Sequence, residues 1–196
     1  MTLHIVSVDQ TPAQPWRNGG GQTRELLAWP DAADWQLRVS VADIDRDGPF
    51  SAFPGVQRWF AVLEGAGVVL GLPAGEAQLT LASPPCGFDG EAAPACRLLD
   101  GATRDLNLMS QRRHGEARMQ PVLAGQPLAA GPAWRGLFTA QALRLRAGPD
   151  EWALPPLSLA WSAQDPHDWQ LAGSGAPPRA WWLAFHRTPP RSETRP

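Results

Sequence analysis

Glycine and proline recur along the whole of this chain, 19 and 21 of them among 196 residues. Such frequent punctuation leaves little room for long helices and favours short strands joined by tight turns. The clearest turn signals are Asn18-Gly-Gly-Gly21, Asp47-Gly-Pro49, Pro54-Gly55, Glu64-Gly65, Asp89-Gly90 and Asp100-Gly101. Between them, Trp35-Gln-Leu-Arg-Val-Ser-Val41 alternates strictly, which puts Trp35, Leu37, Val39 and Val41 on one face of a strand. Arg58 to Leu63 and Gly67 to Leu72 flank Glu64-Gly65 and read as a hairpin. Ala77 to Ala82, Ala95 to Leu99 and Arg104 to Met109 fit further strands. Short strands at this spacing predict an all-β sandwich or barrel.

Near Gln111-Arg-Arg-His-Gly-Glu-Ala-Arg118 the pattern changes to a charged, turn-like connector. Weaker strands resume at Met119 to Leu123, Ala133 to Ala140, Ala142 to Arg146, Trp152 to Leu159 and Ala180 to His186, with no internal repeat. The expected organisation is an N-terminal unit over 1–113, a second over 114–187 and a disordered tail over 188–196.

With 43% apolar residues the chain can bury a real core, and its net charge of −2 advertises neither nucleic acid nor membrane. Every basic residue is Arg, whose planar fork matches carboxylates when it stands in a pocket. The start, Met1-Thr-Leu-His-Ile-Val6, has neither the basic nor the apolar region of a signal peptide, and no window approaches eighteen consecutive apolar residues. A cytoplasmic protein with reduced thiols is expected, although Cys86 and Cys96 could face each other across a hairpin.

Four stretches can carry chemistry. Trp16-Arg-Asn-Gly-Gly-Gly-Gln-Thr23 lacks the spacing of a P-loop or of G-x-G-x-x-G. It reads equally as a glycine-rich turn entering a strand or as a loop whose backbone approaches a ligand. On the second face of the Trp35 strand, Gln36, Arg38, Ser40 and Ala42 project together, either to solvent or into a barrel lumen. In Arg104-Asp-Leu-Asn-Leu-Met109, Asp105, Asn107 and Met109 share one face, and beside Arg38 they would form a polar constellation. In the fourth, Asp47-Gly-Pro-Phe-Ser-Ala-Phe-Pro-Gly-Val-Gln-Arg58, Phe50 and Phe53 are apolar plugs of a mouth loop or of a packed one.

His4, His114, His167 and His186 show neither H-x-H nor H-x-x-x-H spacing, so no metal and no cofactor is expected. His167, in Gln164-Asp-Pro-His-Asp168, reads as an exposed turn residue. Cys86 and Cys96 make no CxxC, and Ser51 and Ser110 lack a nucleophile elbow. Trp35, Trp59 and Trp181 fall inside strands and read as core, whereas Trp16, Trp29 and Trp134 lie nearer loops. The Arg112-Arg113-His114 cluster is too small to predict nucleic-acid binding.

In order, Trp16–Thr23, Trp35–Ala42, Asp47–Gly55 with Arg58, and Asp100-Gly-Ala-Thr-Arg-Asp-Leu-Asn-Leu-Met109 resemble the HutD/Ves family through roughly residues 1–113. The resemblance implies a cupin-type jelly-roll fold with two barrel halves in one chain, a bicupin. It also implies an accessory or regulatory protein of bacterial histidine utilisation that binds a pathway intermediate, a formyl- or formimino-glutamate-like carboxylate. The histidine-rich motif through which many cupins hold metal is missing here.

The reading that results is a small polar metabolite bound in the N-terminal half. Arg38 and Arg58 clamp an anion, Asp105 and Asn107 orient the ligand, with Ser40 on the same face. Trp16 and Phe50 wall the mouth, and Asn18 with Gly19, Gly20 and Gly21 brings backbone N–H groups close. A metal-independent isomerase or hydrolase using Asp105 or Glu64, and an interaction module docking a partner through exposed aromatics, are the rivals. A homodimer stays open.

Overall fold

The computed structural model describes residues 2–123, 125–163, 165–172 and 178–188. Its strands form four sheets. A six-stranded sheet runs in the order Gln14–Pro15, Gly21–Trp29, Leu37–Ile44, Thr103–Gln111, Val56–Glu64, Cys86–Asp89. A four-stranded sheet of Gly48–Pro49, Ala95–Leu98, Val68–Leu72 and Gly75–Leu79 packs on one face of it. The later part of the chain repeats this plan with a five-stranded sheet and a three-stranded one. The first orders His4–Ser7, Ser158–Ser162, Trp134–Thr139, Ala180–Arg187 and Gly115–Pro121; the second Asp150–Leu154, Leu143–Ala147 and Trp169–Leu171.

The alternation in each strand decides this layering. Leu37, Val39 and Val41, with Leu106 and Leu108 of the neighbouring strand, turn to the five-stranded sheet, where they pack with Trp134, Phe138, Leu183 and Phe185. The opposite faces bury Phe60, Val62, Leu70 and Cys96 in the N-terminal pair of sheets, and Leu137, Leu145, Trp169 and Trp182 in the C-terminal pair. The two large sheets are therefore back to back, each covered outside by a smaller one. Both faces of each inner sheet are dry over most of their area, which is why runs such as Trp134–Thr139 are buried at every position.

Several expectations need correction. No sheet closes into a barrel by strand pairing among the described residues; apolar side chains, not backbone hydrogen bonds, bridge each large sheet to its small partner. His4–Ser7 pairs with Ser158–Ser162, so the first strand is built into the sheet of the second half. The expected strand Trp152 to Leu159 is two strands in different sheets. Pro155 and Pro156 offer no N–H to a ladder, and Leu157, which follows them, takes a left-handed φ of 50°. The Gln111–Arg118 connector shrinks to a turn, because Gly115–Pro121 already pairs with Ala180–Arg187. Cys86 and Cys96 are free thiols in different sheets. Of the expected tail, Thr188 bonds through its N–H to the His114 carbonyl, and 189–196 lie outside the described residues.

Candidate functional site

Strand register assembles a polar floor in the middle of the six-stranded sheet. Across three adjacent strands, Arg38 lies beside Met109 and Arg58, Ser40 beside Asn107 and Phe60, and Ala42 beside Asp105 and Val62. All of these side chains point away from the apolar seam between the halves, since Leu37, Val39, Leu106 and Leu108 occupy that face. The floor opens into a cavity of about 480 Å³, whose lining includes Trp16, Phe50 and Phe53. That is the size of an ordinary small-molecule site.

Arg58 is the deepest cation of the cavity lining, 6% exposed. Its guanidinium carbon lies 5.1 Å from the ring of Phe50, 5.6 Å from Phe53 and 5.1 Å from Phe88, a cation among aromatic faces. Nη2 donates to Asn107 Oδ1 at 2.9 Å, and Asn107 Nδ2 donates in turn to Asp105 Oδ2. Asn107 thus stands between the guanidinium and the carboxyl. Buried Arg58 Nε and Asp105 Oδ1 have no partner among the described residues. Burial lowers the Arg58 pKa against the pull of Asp105. Burial likewise pushes Asp105 up to about 8, with Arg58 and the Asn107 hydrogen bond opposing and Asp43 adding to the rise.

Arg38 plays a different part. Its Nη2 donates to Glu25 Oε2, its side chain is 29% exposed, and it stacks over Trp35 at 5.3 Å. Its charge is therefore largely answered within the wall. Ser40 and Asn18 line the same cavity, and Trp16 is fixed there by an Nε1–H donated to Thr23 Oγ1 at 2.7 Å.

The glycines do not line it. Gly19 takes φ 66° at the turn, and a Cβ on Gly21 would stand 2.2 Å from the Asp43 carbonyl oxygen. The smallness of Gly21 serves the close approach of two strands. Glu25 escaped the sequence reading because only the pairing of Gly21–Trp29 with Leu37–Ile44 brings it to Arg38. Glu64, a candidate base of the rival enzyme, pairs with Arg104 at 3.1 Å on the surface, away from the cavity lining. Trp134, expected nearer a loop, is wholly buried.

His167 is more than an exposed turn residue. Its ring Nδ1 lies 3.2 Å from Oδ1 of Asp165, a carboxylate whose side chain is fully buried. No group of three or more His, Cys, Asp or Glu side chains is placed to hold a metal among the described residues. No helix among them is long and apolar enough to cross a membrane.

The cavity's floor and mouth come from the stretches that pointed to a family in the sequence. A model of the HutD family matches residues 8–176. The chain belongs to the HutD family. It is 37% identical over 122 residues to an uncharacterized 21.2 kDa protein in the hutC 3′ region of Pseudomonas putida, a match covering 60% of this chain and 63% of that relative. The chain thus spans under two thirds of that relative's length. Protein Ves of Cronobacter sakazakii is 34% identical over 137 residues, covering 69% of this HutD-family chain and 74% of the relative. Among solved structures, HutD from Pseudomonas fluorescens SBW25, in a formate condition, superposes with a TM-score of 0.82 at 25% identity, covering 95% of this chain and 100% of that one. A cupin 2 conserved barrel domain protein from Leptotrichia buccalis superposes at 0.58 with 6% identity, over 93% of this chain and 96% of that one. At that identity the likeness speaks for the fold alone, which is all-β and cupin-like.

Proposed function

We propose that this HutD-family protein binds a small carboxylate-bearing metabolite in the N-terminal cavity, and acts as a cytoplasmic accessory factor in histidine utilisation. The observation that carries the reading is Arg58, a buried cation beside a cavity with an unpartnered Nε. A buried charge is costly unless answered, and no carboxylate among the described residues is in direct contact with it. A ligand carboxylate supplies that answer. Asn107 and Ser40 offer hydrogen bonds beside it, and Trp16 with Phe50 shields it from water. The names of its relatives favour intermediates of the histidine pathway, so formyl- and formimino-glutamate are the first candidates. In this reading the N-terminal pair of sheets is the ligand-holding cupin half, and the C-terminal pair is a second half whose interior is filled: a bicupin.

The test is a thermal-shift series with N-formyl-L-glutamate, formimino-L-glutamate and glutarate. A ligand at a hundred times its dissociation constant stabilises the fold by about 2.7 kcal/mol, a rise of roughly 5 to 10 °C for a chain of this size. Arg58→Met is expected to abolish the rise. Equal shifts in the variant would end the assignment of Arg58.

Asp105 supports a second reading, a metal-independent enzyme, because its carboxyl holds a proton near neutral pH inside the cavity. Hydrolysis of N-formyl-L-glutamate or formimino-L-glutamate, lost in Asp105→Asn, would establish it. A protein-docking role has less support. The exposed large apolar residues among those described are Ile5, Leu81 and Leu123, on three separate segments.

A further inference from the structure

Asp105 is only 1% exposed and lines the cavity. One oxygen, Oδ2, accepts from Asn107; the other, Oδ1, has no partner among the described residues. An ionised carboxylate in that position would lack a direct cation, since the Asn107 amide intervenes before Arg58. We propose that Asp105 works as a neutral carboxylic acid which, with Arg58, forms a two-donor receptor for one carboxylate of the ligand, so that binding above neutral pH takes up a proton. The proposal rests on the carboxylate-binding reading of this cavity and names the end group it selects, a monoanion in place of an amine or another N–H donor.

The charges around Asp105 support the neutral acid. Arg58 on Val56–Glu64 favours ionisation, and Asp43 on Leu37–Ile44 opposes it. From the facing sheet comes the Cys96 thiol, itself pushed up to about 12 by burial, by Asp105 and by Asp47, and so uncharged. Arg38 and Glu25, in the same cavity, answer each other. Burial then dominates and raises Asp105 to about 8. An apolar site can hold a carboxylic acid neutral at pH 7 so that it donates a hydrogen bond.

With Asp105 protonated, two residues of the cavity lining hold the Arg58 charge, its unpartnered Nε–H and an O–H. Those are two donors and one net positive charge, the complement of a carboxylate. A bound anion raises the Asp105 pKa further and so holds the proton in place. Below the pKa of the empty site the proton is already there, and affinity is flat with pH. Above it, the empty protein has lost the proton and binding must recover it, so affinity falls about tenfold per pH unit. An N–H donor binding to ionised Asp105 would show the reverse sign, with proton release and affinity that rises with pH.

The experiment is isothermal titration calorimetry with N-formyl-L-glutamate and with glutarate, at about pH 6 and about pH 9, each in two buffers of different ionisation enthalpy. The expected result is near-zero proton exchange at the lower pH. Uptake approaching one proton and a drop of about tenfold in affinity are expected at the higher pH. Asp105→Asn keeps a neutral hydrogen-bonding group of the same shape but has no proton to take up, so it should lose both uptake and slope. Proton release, pH-independent binding, or a variant that keeps the slope would overturn the role of Asp105 and leave carboxylate binding standing. No binding of either probe at either pH would overturn both.

Discussion

Arg58 in the N-terminal half is 6% exposed and Arg135 in the C-terminal half is 1% exposed, each on an inner-sheet strand. Both guanidinium groups sit against aromatic rings, Arg58 among three phenylalanines and Arg135 at 4.9 Å from Trp169. Their partners differ. Arg135 pairs with Asp165 at 3.2 Å and donates to the carbonyls of Leu128, Asp165 and His167. Asp165 also accepts from Trp169 Nε1 and from the His167 backbone N–H. Arg58 donates to one amide, keeps an unpartnered Nε and borders a cavity. The same device, a cation under aromatic rings, is closed off as core in one half and left open in the other. A buried cation marks a binding site only where its hydrogen bonds are unfinished.

The largest effect should separate the two arginines in stability. Removing one partner of a buried ion pair strands the other, at a cost of about 3–5 kcal/mol. Arg135→Met should therefore lower the urea midpoint strongly. Arg58→Met leaves no carboxylate stranded in direct contact and strips only the Asn107 amide oxygen of its donor, so its cost should be smaller, about 1–3 kcal/mol. Equal losses in the two variants would make Arg58 a structural residue and break the contrast.

The two buried carboxyls should respond to pH with opposite sign. Asp105, raised by burial to about 8, binds its proton more tightly folded than unfolded. Its contribution is complete below the unfolded value and is lost as pH rises, by up to about 1.4 kcal/mol per unit between roughly pH 4 and pH 8. Burial would raise Asp165 too, but the hydrogen bonds from Trp169 and His167 and the charge of Arg135 hold it below the ordinary value. Its contribution is present above the unfolded value and is lost as pH falls through the folded one. Urea unfolding from pH 5 to pH 8 should show Asp105→Asn gaining on the parent as pH rises. A constant difference across that range would mean that Asp105 is ionised throughout.

Much of this contrast was readable in the N-terminal sequence and little of it in the C-terminal one. The strict alternation of Leu37, Val39 and Val41 against Arg38 and Ser40 assigns a strand and both of its faces at once. Asp105, Asn107 and Met109 follow by the same period, and the register then brings them together. What the sequence cannot carry is which strands are neighbours. Glu25, Phe88 and Cys96 reach the region of Arg58 and Asp105 only through sheet pairing and the facing sheet. In the C-terminal half the periodicity is masked, because inner strands such as Trp134–Thr139 are covered on both faces and show no alternation of apolar and polar residues. Arg135 inside such a strand gave no sign of being buried, and Asp165 four residues before Trp169 looked like part of a surface turn. Gly21 shows another limit: smallness required by a neighbouring strand has the same sequence signature as smallness required by a ligand.

The smallest effect belongs to Arg38, the second expected anion clamp. Its bond to Glu25 is part-exposed, and such pairs contribute about 0–1 kcal/mol to stability, so Arg38→Ala should fold nearly as well as the parent. Because Glu25 already answers its charge, Arg38→Ala should weaken carboxylate binding by a few-fold, far less than Arg58→Met. Glu25→Gln frees the guanidinium at the cavity wall while keeping a hydrogen-bond acceptor for it, and is expected to tighten carboxylate binding by a similar few-fold. Titrating both variants with glutarate beside Arg58→Met sharpens the contrast to one question, whether an arginine's use depends on what else it touches. If Arg38→Ala abolished binding as completely as Arg58→Met, unfinished hydrogen bonds would not be what distinguishes a receptor arginine from a structural one in this fold.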